Sequence, residues 1–119
     1  MFYKNRLPRS KHGNRKVNAP DGQKFDSQRE YSRYIQLCLQ ERAGAISSLS
    51  RQKRYVLVPS VVIDGRTKPA IRYAADFVYI RDGKEIVEDA KSPHLRLNPV
   101  YRIKKHIMKH VHSIEIIEV

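Results

Sequence analysis

Acidic side chains are missing from this chain where it is most basic. Lys91 to Ser113 carries six Lys or Arg and four His without one Asp or Glu, and Met1 to Lys24 carries seven Lys or Arg against the single acid Asp21. Cysteine is almost absent too. The lone Cys38 excludes an intramolecular disulfide and fits a reducing cytosol. Set among Tyr34, Ile35, Leu37 and Leu39, it reads as a small buried hydrophobe and not as a nucleophile. No apolar run approaches the roughly 18–20 residues of a membrane span, and the basic N-terminal stretch lacks the apolar core of a signal peptide. No membrane partner is therefore expected, and the cytoplasm is the expected location. Gly13 and Gly22 stand apart and do not form a phosphate-cradling loop.

What is present is a formal net charge of +12 on 119 residues, the size of one domain with one modest core. Positive blocks at both ends of a chain whose acids lie mainly in the middle and the last strand attract polyanions, and nucleic acid is the expected partner. A merely solvated basic face and an acidic membrane surface are the bland alternatives. Lys24, Arg96, Tyr101, Arg102, Lys104, Lys105 and Lys109 are the candidate DNA-backbone contacts.

Residues 1–24, polar and basic with two prolines and two glycines, read as a flexible arm; residues 25–119 read as the folded domain. Ser27 and Glu30 stand in capping-box spacing at the start of a helix. Tyr31, Tyr34, Ile35, Cys38 and Leu39 form its apolar stripe, and Gly44 ends it. Arg54–Val62 is strand-like, and Pro59 argues for an edge position or a bend. Asp64-Gly65 turns into a strand over Ala70–Ile80. Asn98-Pro99 opens a second helix, with Val100, Ile103, Ile107 and Val111 as its apolar stripe, before a last strand over Ile114–Val119. The expected order is α-β-β-β-α-β, an α/β (α+β) fold with a mixed sheet flanked by helices.

The most informative stretch is Ile71 to Lys91. Two apolar runs are joined by Asp82-Gly83, the strongest short hairpin signal in sequence. With those two residues as the turn, Asp76 faces Asp89, and Lys91 lies two residues on, on the face of Asp89. Like charges that close destabilise a sheet, so two acids inside apolar strands call for a reason, and a bound divalent cation is the simplest. Mg²⁺ sites use one or two carboxylates with waters and phosphate oxygens, and Mn²⁺ is the alternative ion. Asp76 and Asp89 supply carboxylates, the Ala90 carbonyl can add a backbone ligand, and Lys91 can stabilise developing charge or orient a water. Glu30 becomes a third acid if the first helix packs against this end of the sheet.

Each residue also has a plainer explanation. Helix capping accounts for Glu30, an ion pair with Arg72 or Lys91 for Asp76, and simple pairing with the acids for Lys91. Glu88 points away from Asp89 and reads as structural or solvent-facing. His106, His110 and His112 have spacing that zinc could use, but no cysteine or nearby acid completes a set, and phosphate-facing positions beside the helix lysines are preferred.

Asp76 followed across a hairpin by Asp89-Ala90-Lys91 resembles the PD-(D/E)xK nuclease signature, with Ala75 in place of the proline. With KFDSQREYSRY, YAADFVY, VEDAKS, NPVYRIKKHIMKH and IEIIEV, the chain from Lys24 to Val119 looks like small phage-borne endonucleases related to Holliday-junction resolvases and transposon end-cleaving nucleases. The resemblance implies a restriction-endonuclease-like core and a metal-dependent centre of Glu30, Asp76, Asp89 and Lys91. In related folds a glutamine after the first helix joins the site, which makes Gln52 a candidate. The expected function is Mg²⁺-dependent endodeoxyribonuclease action, structure-selective on branched DNA because phosphate contacts carry little sequence information. Paired cuts imply a homodimer, and phage origin would place it in the bacterial host cytoplasm. The alternative is a non-catalytic DNA-binding or architectural protein on a nuclease fold. An RNA-directed nuclease is disfavoured by the lack of a base-stacking aromatic ladder.

Overall fold

In the computed structural model, which describes residues 15–119, the chain first pairs β1 (Val17–Asn18) with β2 (Lys24–Phe25) antiparallel. Asp21 accepts the Gln23 N–H at 3.0 Å and tightens the connection. Phe25 buries against Tyr31 and Tyr34, with ring centroids 5.1 and 5.2 Å away. Residues 17–25 are thus a hairpin folded onto the domain and not part of a loose arm, because Phe25 anchors them. Residues 1–14 of the expected arm lie outside the described residues.

Helix α1 (Gln28–Arg42) starts at Ser27, whose side chain accepts the Glu30 N–H at 3.1 Å. Glu30 reaches back to the Asp26 N–H at 3.2 Å, one residue before the usual capping-box partner. Gly44 at φ +80° closes the helix, with Gly44 N–H on Glu41 and Ala45 N–H on Gln40, a Schellman end.

A four-stranded sheet follows in the order β3 (Ser47–Val58), β6 (Ile71–Arg81), β7 (Lys84–Asp89), β8 (Ile117–Glu118). The first two pairings are antiparallel; β7 and β8 run parallel, as the crossover through helix α2 (Pro99–His112) requires. Asp82 and Gly83 both have positive φ, 51° and 75°, and set the register Arg81–Lys84 through Phe77–Glu88. Asn98 caps α2 by accepting the Tyr101 N–H at 3.1 Å, with Pro99 at its first position. The helices cover opposite faces. Leu37 of α1 packs with Phe77, Tyr79 and Ile46, whereas Tyr101 and Met108 of α2 pack with Tyr55, Tyr73, Val78 and Val87.

This is the expected mixed sheet flanked by two helices, in the expected core order, with β3 on the edge. Two details differ. The strand read as Arg54–Val62 begins at Ser47 and stops before Pro59, and a separate hairpin, β4 (Val61–Ile63) with β5 (Arg66–Lys68), fills the interval. Both helices are also partly rotated from their expected stripes, of which Tyr34 and Ile107 still pack on the core. Ile35 and Leu39 of α1, and Val100, Ile103 and Val111 of α2, are exposed, while Leu37 and Met108 are fully buried. Each helix has apolar residues on two sides, and the inward side is the one whose polar side chains find buried partners. Arg33 of α1 meets Glu88 of β7 through two 2.7 Å contacts, and Glu88 also accepts the Tyr79 hydroxyl. Glu88 is therefore structural, buried and paired, and not solvent-facing. Among the described residues no helix is long and apolar enough to cross a membrane.

Candidate active site

The sheet changes phase at one facing pair. Arg51 and Phe77 point to the α1 face, yet Tyr55, Tyr73 and Ala75 point to the α2 face, so alternation breaks between them on both strands. The residues in between are Gln52 and Asp76. Gln52 has φ +57°, a left-handed conformation that is rare for a non-glycine residue and is held only where the surroundings enforce it. The result turns the Gln52 amide between two acids: its Nε2 lies 3.2 Å from Asp76 Oδ1 and 3.4 Å from Glu30 Oε1.

Asp76 stands one step beyond the last paired rung, Phe77–Glu88, in line with Asp89. It is half-buried, and its Oδ2 accepts the Ala90 N–H at 2.9 Å. Burial first, then the neighbouring Asp89 carboxylate and more distantly Glu30, push its pKa from 3.8 up to about 8, against the pull of the Ala90 N–H. Asp89 is 2% exposed. Its Oδ2 accepts the Tyr73 hydroxyl at 2.5 Å, and burial together with the Asp89 charge pushes the Tyr73 phenol well above its ordinary range. Asp89 Oδ1 lies 3.1 Å from Lys91 Nζ without hydrogen-bond geometry, and has no hydrogen-bond partner among the described residues. The backbone on either side is fixed by β8: Val119 N–H donates to the Asp89 carbonyl at 3.0 Å and Lys91 N–H to the Val119 carbonyl at 3.2 Å. Lys91 Nζ sits 5.0 Å above the Tyr101 ring, within cation–π reach.

Glu30 is also 2% exposed, and Arg51 holds it at 3.1 Å. The Arg51 guanidinium lies 3.8 Å over the Phe25 ring and donates to the Lys24 carbonyl at 2.9 Å, clamping the β1–β2 hairpin to the site. Among the described residues no three His, Cys, Asp or Glu side chains come close enough together to hold a metal ion. The direct carboxylates are thus Asp76 and Asp89, with Glu30 joined to them through Gln52. Ala90 is present through its N–H.

A cleft of about 430 Å³ beside the site is lined by Arg96, Arg102, Lys105, His106 and Lys109 together with Ile116 and the acids Glu115 and Glu118. Arg96 ties it to the centre by donating to the Lys91 carbonyl at 3.0 Å. Lys105 is paired with Glu118 at 2.9 Å, Lys104 is half-buried, and Lys24 is exposed on β2. Tyr101 is not on this surface: it is buried beneath Lys91, and burial followed by the Asp89 and Glu118 charges raises its phenol above the ordinary range. His106 and His110 are exposed, while His112 packs edge-on against Tyr55 and contacts the Val56 carbonyl at 2.7 Å.

The hairpin register therefore brings Asp76, Asp89 and Lys91 together as the spacing suggests, and Glu30 and Gln52 join from α1 and β3. Sequence reasoning missed Tyr73 and Arg51. Regular alternation puts Tyr73 on the face away from Asp76, so only the phase change at Gln52–Asp76 reveals it.

The donor set fits a hard divalent cation. Two carboxylates lie side by side, burial and then the charge of Asp89 hold Asp76 protonated near neutral pH, and a buried carboxylate oxygen has no hydrogen-bond partner among the described residues. No curated protein and no solved structure matches the chain. Over residues 9–117 it matches, and so belongs to, the family described as protein of unknown function (DUF1064).

Proposed function

We propose that this protein is a metal-dependent endodeoxyribonuclease acting on branched DNA, in the manner of Holliday-junction resolvases and other PD-(D/E)xK nucleases. The observation that carries the reading is the paired Asp76 and Asp89 beside Lys91, with the buried Asp89 Oδ1 lacking a hydrogen-bond partner among the described residues. An architectural DNA binder needs no such pair of opposed acids. Asp76 and Asp89 would hold Mg²⁺ or Mn²⁺. When bound, the cation supplies charge neutralisation at the phosphate and a lowered water pKa.

The chain's own side chains do the rest. Asp76 gives up its proton on loading, and Tyr73 keeps the Asp89 carboxylate oriented by its hydrogen bond to Oδ2. Lys91, propped by the Tyr101 ring, presents a positive charge to the non-bridging oxygens or to the attacking water. Gln52, anchored on Glu30, keeps Asp76 in place. Arg96 and Arg102 offer charge to neighbouring phosphates. Paired cuts in a junction need two centres, so the active form is a homodimer, and the exposed stripe of Val100, Ile103 and Val111 on α2 is a surface available for it.

The test is cleavage of a labelled four-way junction and a matched linear duplex, with and without Mg²⁺. Asp89→Asn runs alongside, with binding measured in Ca²⁺. Metal-dependent cutting of the junction that falls at least about 100-fold in Asp89→Asn, with binding retained, supports the reading. Equal cutting of both substrates keeps the nuclease and discards the resolvase. Tight binding by the wild type with no cutting in Mg²⁺ or Mn²⁺ refutes the enzyme.

A further inference from the structure

The hairpin β4–β5 belongs to no other sheet, and all six of its paired residues are exposed. Its turn, Asp64-Gly65, has positive φ at both positions, 52° and 71°, the rigid two-residue type whose twist matches the strands. The pairings Val61–Lys68 and Ile63–Arg66 put two aliphatic and two basic side chains on one face, and Val62 with Thr67 on the other. Three consecutive exposed β-branched residues leave aliphatic surface on both faces of the ribbon, which water alone does not favour.

The hairpin also continues a track that begins at the catalytic pair. Beyond Gln52–Asp76 the ribbon of β3 and β6 keeps Tyr55 and Tyr73 on the α2 face. Its opposite face carries the exposed rungs Arg54–Ala74 and Val56–Arg72, which α1 leaves uncovered. The interval from Gln52 to Val58 spans roughly 20 Å at about 3.3 Å per residue. A duplex of that length presents about six phosphates per strand. Arg54 and Arg72 therefore lie between the centre and a protruding ribbon that carries Arg66 and Lys68, with Asp64 as that hairpin's acid.

We infer that the β4–β5 hairpin is a DNA finger: it enters the major groove of a duplex arm leading away from the scissile phosphate, and Arg54 and Arg72 hold that arm along the β3–β6 ribbon. The major groove admits a two-stranded ribbon, about 12 Å of width being available. Val61, Val62 and Ile63 supply apolar contact to thymine methyls and sugars, and Arg66 and Lys68 reach phosphates on the groove walls. The inference rests on the DNA reading of the Asp76–Asp89 centre, and places one substrate arm relative to it.

Binding is measured in Ca²⁺ by fluorescence anisotropy across a salt series, for junctions with long and with shortened arms. The proteins are the wild type, an Arg66→Ala/Lys68→Ala double variant and an Arg54→Ala/Arg72→Ala double variant. Far-ultraviolet circular dichroism checks that each is folded. Each pair should lower the salt slope by about 1.8, at about 0.9 per lost phosphate contact. Affinity for long arms should fall on the order of tenfold at physiological salt, and the difference from wild type should vanish once the arm is too short to reach the hairpin. Unchanged slope and affinity in folded variants overturn the finger. So does a Val62→Lys variant that turns a dimer into a monomer while DNA affinity holds, because the ribbon is then an interface between copies. Wild-type cutting in Mg²⁺ reports separately on the nuclease reading: a protein that binds without cutting leaves the finger to be decided by the salt slopes. A wild type that binds no DNA overturns both.

Discussion

Replacing Asp76 with Asn should make the metal-free protein more stable at alkaline pH and no more stable under acid conditions. The folded state raises the Asp76 pKa from 3.8 to about 8, chiefly through burial and the charge of Asp89. Between those two values the folded protein holds a proton that the unfolded chain has released. Stability therefore falls as pH rises from about 4 to about 8, the reverse of a salt-bridged carboxylate, and the full penalty is present above about 8. At about 1.4 kcal/mol per pH unit the shift corresponds to an upper limit of roughly 6 kcal/mol. Asp76 is only half-buried, so water carries part of the charge and roughly 2–3 kcal/mol is the expected size. Asparagine mimics the protonated acid and removes the proton from the balance.

Urea unfolding followed by circular dichroism in EDTA, from pH 3.5 to pH 8.5, gives the comparison as the difference between variant and wild type. The two should agree near pH 3.5, already differ by about 1.5 kcal/mol at pH 5, and diverge by roughly 2–3 kcal/mol at pH 8.5, about 10 °C or more in Tm for a domain of this size. Saturating Mg²⁺ should then close the gap, adding about 2.7 kcal/mol to the wild type at a hundred times its Kd and little to the variant. A difference that stays flat across the pH range would refute the mutual repulsion of Asp76 and Asp89, and the case for a cation with it.

Other perturbations test the scaffold around the centre. Arg33→Ala strips Glu88 of its bidentate partner while Glu88 stays buried, and should cost about 3–5 kcal/mol in urea unfolding. Gln52→Gly relieves a left-handed residue worth about 1 kcal/mol but cuts the link between Glu30 and Asp76; stability should hold while metal-dependent cleavage drops. An equal loss of both would show that Gln52 only supports the fold. Ile103→Glu places a charge in the exposed α2 stripe and should shift sedimentation toward the monomer without unfolding the chain.

Local chemistry decided a good part of this protein. Asp82-Gly83 takes positive φ at both positions and so sets which residues face each other, which places Asp76 beside Asp89 from local sequence alone. Ser27, Gly44 and Asn98-Pro99 likewise mark their helix ends through hydrogen bonds and backbone preferences that act within a few residues. Such signals need no distant partner, so they are legible in the chain itself.

The remainder depends on contacts between segments far apart. Periodicity showed that α1 and α2 carry apolar stripes but not which way they turn; Arg33 finding Glu88 and Tyr101 packing under Lys91 settled that, and left Val100, Ile103 and Val111 of the expected α2 stripe outside while Ile107 packs inward. The left-handed turn of Gln52 and the matching phase change at Asp76 appear only where β3 and β6 meet, and they alone bring Glu30, Gln52 and Tyr73 to the two aspartates. The sequence by itself determined the carboxylate pair and its lysine, because a two-residue turn enforces a register. The tertiary structure decided their surroundings, because burial, a raised pKa and an oxygen left without a hydrogen bond arise only when separate strands and helices close over them.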